Sequence, residues 1–109
     1  MLTYTITAEL HRYTLSIAGQ HEIVTPWVPA NHPSQAHFMV PLLALKDITC
    51  RIEGTGRSCQ EFGVHLLADK IVAASYAGTC PITHPKLVPL LAELKQHAAD
   101  FGAFTVKER

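Results

Sequence analysis

The chain has 109 residues, 48% hydrophobic and 17% charged, which excludes a disordered chain and predicts one domain, residues 1–109, around a single core. Basic and acidic side chains cancel to zero formal net charge; that speaks against a duplex-DNA binder, which carries a basic excess, and leaves homo-oligomerisation open, because little charge repulsion opposes it. No apolar run reaches the ~18 residues of a membrane span, Met1–Gly19 lacks the basic and apolar regions of a signal peptide, and the odd cysteine set Cys50, Cys59 and Cys80 suits free thiols in a cytoplasmic protein.

Leu2–Thr7 and Tyr13–Ala18 alternate apolar and polar residues with period two, and their β-branched and aromatic side chains predict half-buried strands. Gly19-Gln20 supplies a turn, and a third strand starts at Glu22 and ends by Val28, with Pro26 and Pro29 confining it to an edge. Ala30–Ser34 is a loop. Ser34 then caps a helix to about Lys46, with Phe38, Leu42 and Leu45 on one face. Pro41 either kinks that helix or moves its start to Val40.

Ile48–Glu53 alternates again and predicts a strand, which Gly54-Thr55-Gly56 breaks. Phe62–Ala68 and Ile71–Tyr76 flank Asp69-Lys70 and predict a hairpin, with a helix over Ser58–Ala74 as the competing reading. After the loop Gly78–Pro81, the stretch Thr83–Lys107 carries the clearest pattern. Leu87, Leu90, Leu91, Leu94, Ala98 and Phe101 form one apolar helical stripe. Thr83 is placed to cap it, Pro85 stands in its first turn, Gly102 closes it at C′, and Ala103–Val106 forms a final short strand. The expected architecture is α+β: a mainly antiparallel sheet with two helices.

The two helical segments resemble one another. Val40-Pro41-Leu42-Leu43-Ala44 parallels Val88-Pro89-Leu90-Leu91-Ala92, and His32-Pro33 parallels His84-Pro85. Leu2-Thr3 with Ile6 likewise parallels Ile48-Thr49 with Ile52. A β-β-β-α duplication over 1–47 and 48–102, with a C-terminal strand appended, is the expectation that follows.

Few residues suggest chemistry. Cys80 and His84 have a C-x3-H spacing, and Cys50 and Cys59 complete a Cys3His set, although zinc sites usually show two tight pairs. Cys80 with His84 is also the only local candidate for nucleophilic catalysis, and no motif supports it. Gly54–Ser58 lacks the spacing of a phosphate loop, and no cofactor is expected. Trp27, His32, Tyr76 and His84 lie in or beside the two loops that precede the helices, and these are the candidate binding residues. Trp27, Tyr4, Tyr13 and Tyr76 with Arg12, Arg51 and Arg57 offer a stacking face for single-stranded nucleic acid.

With no catalytic constellation, the leading expectation is a small non-enzymatic module that binds another protein, as an inhibitor, immunity or adaptor protein does. A Cys/His-dependent or zinc-binding enzyme and a single-stranded nucleic-acid binder are the alternatives.

Overall fold

A computed structural model of the protein describes residues 1–28 and 33–109. The chain opens with three strands, β1 (Leu2–Ala8), β2 (Tyr13–Ile17) and β3 (Gln20–Val24), as the alternation predicts. Ile17 pairs with Gln20, so β2 and β3 are joined by Ala18-Gly19 alone. Their φ angles are 49° and 80°, the two positive values that a tight hairpin turn with the sheet's own twist needs.

The helix α1 (Pro33–Gly54) follows and is far longer than predicted. Phe38, Leu42 and Leu45 are buried as expected, and the stripe continues through Ile48 and Ile52. The predicted strand over 48–53 is therefore the end of α1. Ile48 and Ile52 satisfy a helical i, i+4 spacing as well as strand alternation, and six residues are too few for periodicity to decide. Continuity with the stripe ahead of them decides it. Pro41 neither ends the helix nor delays its start. It removes the N–H that would bond the His37 carbonyl, but its ring lies fully buried among the core side chains, and packing offsets the lost bond.

Past a 3-10 turn at Cys59–Glu61, capped by the Ser58 hydroxyl, comes β4 (Phe62–Ala68), then α2 (Lys70–Ala77), α3 (Val88–Ala98) and β5 (Ala103–Glu108). The hairpin expected over 62–76 is half right. Phe62–Ala68 is a strand, but Ile71–Tyr76 belongs to α2. Asp69 is not a turn residue but the N-cap, its carboxylate accepting from the Ile71 N–H at 3.0 Å, and Gly78 in the left-handed conformation (φ 82°) ends the helix. The competing helix over 58–74 is also overturned.

The last helix is shorter than its apolar stripe. It starts at Val88 without a side-chain cap, so Thr83 does not cap it, and Pro89 occupies its first turn. Leu87, Leu94, Ala98 and Phe101 are buried as the stripe predicts. Gly102 serves close approach, not a left-handed cap: a Cβ there would overlap the Gln60 carbonyl oxygen.

The sheet has five strands in the order β3-β2-β1-β4-β5. The pairs β1–β2 and β2–β3 are antiparallel, whereas β1–β4 and β4–β5 are parallel. The fold is a single α+β domain, but the sheet is mixed and carries three helices, where a mainly antiparallel sheet with two was expected. Parallel neighbours need long crossovers, which α1, α2 and α3 provide. The interior strand β4 reads Phe-Gly-Val-His-Leu-Leu-Ala; Phe62, Val64, Leu66 and Ala68 are buried on its core face, and His65 and Leu67 are half-buried on the other. Ile6, Leu15, Val64 and Leu66 bring one face of the sheet into the core with Phe38, Leu45, Ile48, Val72 and Leu94 from the helices. The opposite face carries Thr3, Thr5, Thr7, Thr14, Ser16, His65 and Thr105, and the His65 ring meets the Thr105 hydroxyl at 2.6 Å.

The segments paired by the supposed duplication fall in different element types. Leu2–Ile6 lies in a strand and Ile48–Ile52 in a helix, and residues 48–102 hold one strand where residues 1–47 hold three. The segments 40–44 and 88–92 both lie in helices, α1 and α3.

Candidate functional site

The carboxyl ends of β1 and β4 lie side by side, Thr7 opposite Leu67, and the chain leaves them in opposite directions. From β1 it turns through Glu9–Arg12 into β2; from β4 it enters α2 and crosses towards β5. Such a divergence is a topological switch point, where sheets with parallel strands bind their ligands.

Four elements place side chains there. Asp69, the first residue after β4, is oriented by its N-cap bond to Ile71. His37, on α1, brings its Nε2 to 3.8 Å from Asp69 Oδ2. Arg109 extends the β5 ladder, its N–H donating to the Ala68 carbonyl at 2.9 Å. Its guanidinium donates to the Ala8 carbonyl and stands with Nη2 3.8 Å from Asp69 Oδ2. In the β1–β2 turn, Glu9 and Arg12 form an ion pair, and the Glu9 N–H donates to the Arg12 carbonyl at 2.8 Å. The Arg12 guanidinium holds the Glu9 carboxyl below its ordinary range, with a smaller contribution from Arg109.

The separations of 3.8 Å from His37 and from Arg109 to Asp69 exceed hydrogen-bond length. The three groups share one field without saturating each other's donors. Side-chain exposure is 21% for His37, 30% for Asp69 and 32% for Arg109, so a ligand can reach them. An open groove of about 480 Å³ continues from this point, lined by Asp69, Lys70, Ile71, Ala74, Thr79 and Cys80.

A second polar cluster joins the sheet to α1. The Tyr13 hydroxyl donates to Asp47 at 2.7 Å, Arg51 Nε donates to the same carboxylate at 2.8 Å, and Arg51 also pairs with Glu22. Burial alone would raise the Asp47 carboxyl, but the bonds from Arg51 and Tyr13 outweigh it and hold the group below its ordinary value. Burial, and then the Asp47 charge, push the Tyr13 hydroxyl far up.

The residues singled out from sequence are scattered. Trp27, at 83% exposure, lies in the segment after β3. Tyr76 sits on α2 with its ring 5.6 Å from that of Phe104. His84 is exposed ahead of α3, its Nδ1 accepting from the Lys86 N–H at 3.1 Å. His32 lies outside the described residues. The proposed zinc ligands do not converge: Cys50 is exposed on α1, Cys59 is buried in the 3-10 turn and Cys80 is exposed beyond α2. Among the described residues no group of three or more His, Cys, Asp or Glu side chains is placed to hold a metal ion.

Several members of the expected stacking face are engaged elsewhere. Tyr4 packs on Phe62 at 6.0 Å, Tyr13 is tied to Asp47, and Arg57 lies 4.8 Å over the Phe62 ring. Sequence reasoning passed over His37, Asp69 and Arg109. An Asp immediately before an apolar run is an N-cap signal and was legible; nothing local marks the other two.

No family model and no curated protein matches the sequence. Solved structures do match the fold. The N-terminal RNase H domain of Rv2228c from Mycobacterium tuberculosis, determined as a fusion with maltose-binding protein, superposes with a TM-score of 0.64 at 12% identity, over 100% of this chain and 83% of that one. RNase H1 from Halobacterium salinarum NRC-1 superposes with a TM-score of 0.63 at 11% identity, over 99% of this chain and 84% of that one. These similarities overturn the expectation of a non-enzymatic, inhibitor-like module acting on another protein, and with it the setting aside of duplex nucleic acid. Net charge is a weak exclusion here because it sums over the whole surface, whereas a nucleic acid would meet only a local group of charges. Among the described residues no helix is long and apolar enough to cross a membrane. The fold is RNase H-like over the whole length of the chain.

Proposed function

We propose that this chain is a nucleic-acid-binding domain that takes the sugar-phosphate backbone of an RNA-containing strand across the carboxyl ends of β1, β4 and β5. The superposition on two proteins named as RNase H, over essentially the whole chain, carries this reading. A fold by itself hosts many activities, so the local chemistry must agree, and it does. At the switch point the Arg109 guanidinium and the exposed Lys70, at the first position of α2, offer cationic donors beside Asp69. Cationic side chains supply most of the affinity for a phosphate backbone and make it depend on salt.

Fluorescence anisotropy with labelled single-stranded RNA, single-stranded DNA, an RNA/DNA hybrid and duplex DNA tests the reading. The expected result is binding in the range of roughly 1–100 µM at physiological salt, the range of contacts dominated by a few phosphates, and tighter at low salt. The RNA-containing ligands are expected to bind tighter than DNA of equal length, and affinity should fall steadily as salt rises. Flat titrations with all four ligands at low salt would sink it.

A further inference from the structure

We infer that the switch-point crevice contacts a phosphate oxyanion directly, through Arg109 and His37, and is not a metal-carboxylate centre; this rests on the nucleic-acid reading above. Nucleases that cleave with two bound metal ions hold them 3.5–4 Å apart, and a hard divalent ion collects oxygen ligands, with carboxylates chief among them. The residues at this crevice do not fit that task. The strand ends that meet there carry the methyl groups of Ala8 and Ala68, both buried. Asp69 has one oxygen on the Ile71 N–H, and the other faces His37 and Arg109. Glu9 is engaged by Arg12. A divalent cation placed beside Asp69 would sit against the Arg109 guanidinium, and the repulsion would offset what a single carboxylate supplies.

An anion meets the opposite field. Arg109 is anchored through the Ala8 carbonyl and its own backbone bond to Ala68, so its planar donors are held in place. Arginine presents several N–H donors in a fork that matches phosphate oxygens, and only one engages Ala8. The His37 ring stands 3.8 Å from the same Asp69 oxygen as Arg109, so a phosphate entering here breaks no formed hydrogen bond between these side chains.

Backbone and His-ring NMR spectra of the whole chain, titrated separately with Mn²⁺, with inorganic phosphate and with a short RNA oligonucleotide, decide the matter. Phosphate is expected to shift the amides of Ala8, Asp69 and Arg109 and the His37 ring. Arg109→Gln should weaken phosphate binding about ten-fold, the loss expected for one charge-assisted hydrogen bond, and should lower the salt slope of RNA binding by about 0.7, one phosphate contact on a single strand. Asp69→Asn, which keeps an N-cap side chain, should tighten phosphate binding several-fold and keeps the test decisive if Arg109→Gln fails to fold. Selective Mn²⁺ broadening centred on Asp69 and Ala8 would overturn the inference. So would RNA binding that leaves these resonances and the Arg109→Gln affinity unchanged, although the nucleic-acid reading would then survive. Phosphate binding at Arg109 without RNA binding would support the inference and remove the reading it rests on.

Discussion

Two carboxylates in this molecule are each flanked by an arginine, and they are used in opposite ways. Asp47 is closed: Tyr13 and Arg51 bond it at 2.7 and 2.8 Å, and Arg51 reaches on to Glu22. The cluster ties β2 and β3 to α1, and its donors and acceptors are spent on one another. Asp69 is open: His37 and Arg109 both stop at 3.8 Å, and only the N-cap bond is made. Polar groups that satisfy each other stabilise a fold. Charges held close by the backbone but left short of contact keep their capacity for a ligand. Similar residue types thus serve as a structural brace at one place and as a candidate binding site at the other.

The largest expected effect comes from breaking the brace. Asp47→Ala should destabilise by about 2–3 kcal/mol, the range for hydrogen bonds to a charged group, and lower the Tm by roughly 10 °C; urea and thermal unfolding measure both. Because the folded-state value of Asp47 is depressed, its contribution is fully present above its unfolded value near ~3.9 and is lost as pH falls through the folded value. The stability gap between the wild-type chain and Asp47→Asn should therefore be constant from neutral pH to about 5 and narrow below about 4. A gap that persists to the lowest pH would show that the carboxylate is not held ionised. Tyr13→Phe removes one of the bonds and should cost about 1 kcal/mol.

At the open cluster, substitutions should separate stability from binding. Asp69→Ala should cost about 1 kcal/mol through the lost N-cap, whereas Asp69→Asn should stay within about 0.5 kcal/mol of wild type. If Asp69→Asn were as costly as Asp47→Asn, the distinction between brace and site would collapse. The smallest effect is expected for Trp27→Ala, within about 0.5 kcal/mol, because the side chain is 83% exposed.

How much could be read in advance follows the range of the signal. The three N-terminal strands, the faces of α1 and α3 and the strand β5 were legible, because alternation and helical spacing are local. The second half was misread where the local pattern fitted two structures. Ile48 and Ile52 suited strand and helix alike, and Ile71–Tyr76 carried β-branched and aromatic residues into a helix that Asp69 caps at its start and Gly78 at its end. The segments paired as a repeat fall in different element types. The site stayed hidden because its members come from positions 37, 69 and 109, and no spacing relates them.

The sequence alone determined the content of the fold: one domain, an α+β mixture, a strand-rich beginning and an amphipathic helix near the end. Those conclusions depend on burial, which each segment encodes in its own pattern of apolar residues. Only the tertiary structure decided that β4 runs parallel between β1 and β5, and strand direction is a property of crossovers, not of strands. That arrangement brings the ends of β1, β4 and β5 together and turns a capping aspartate, a helix histidine and a terminal arginine into neighbours.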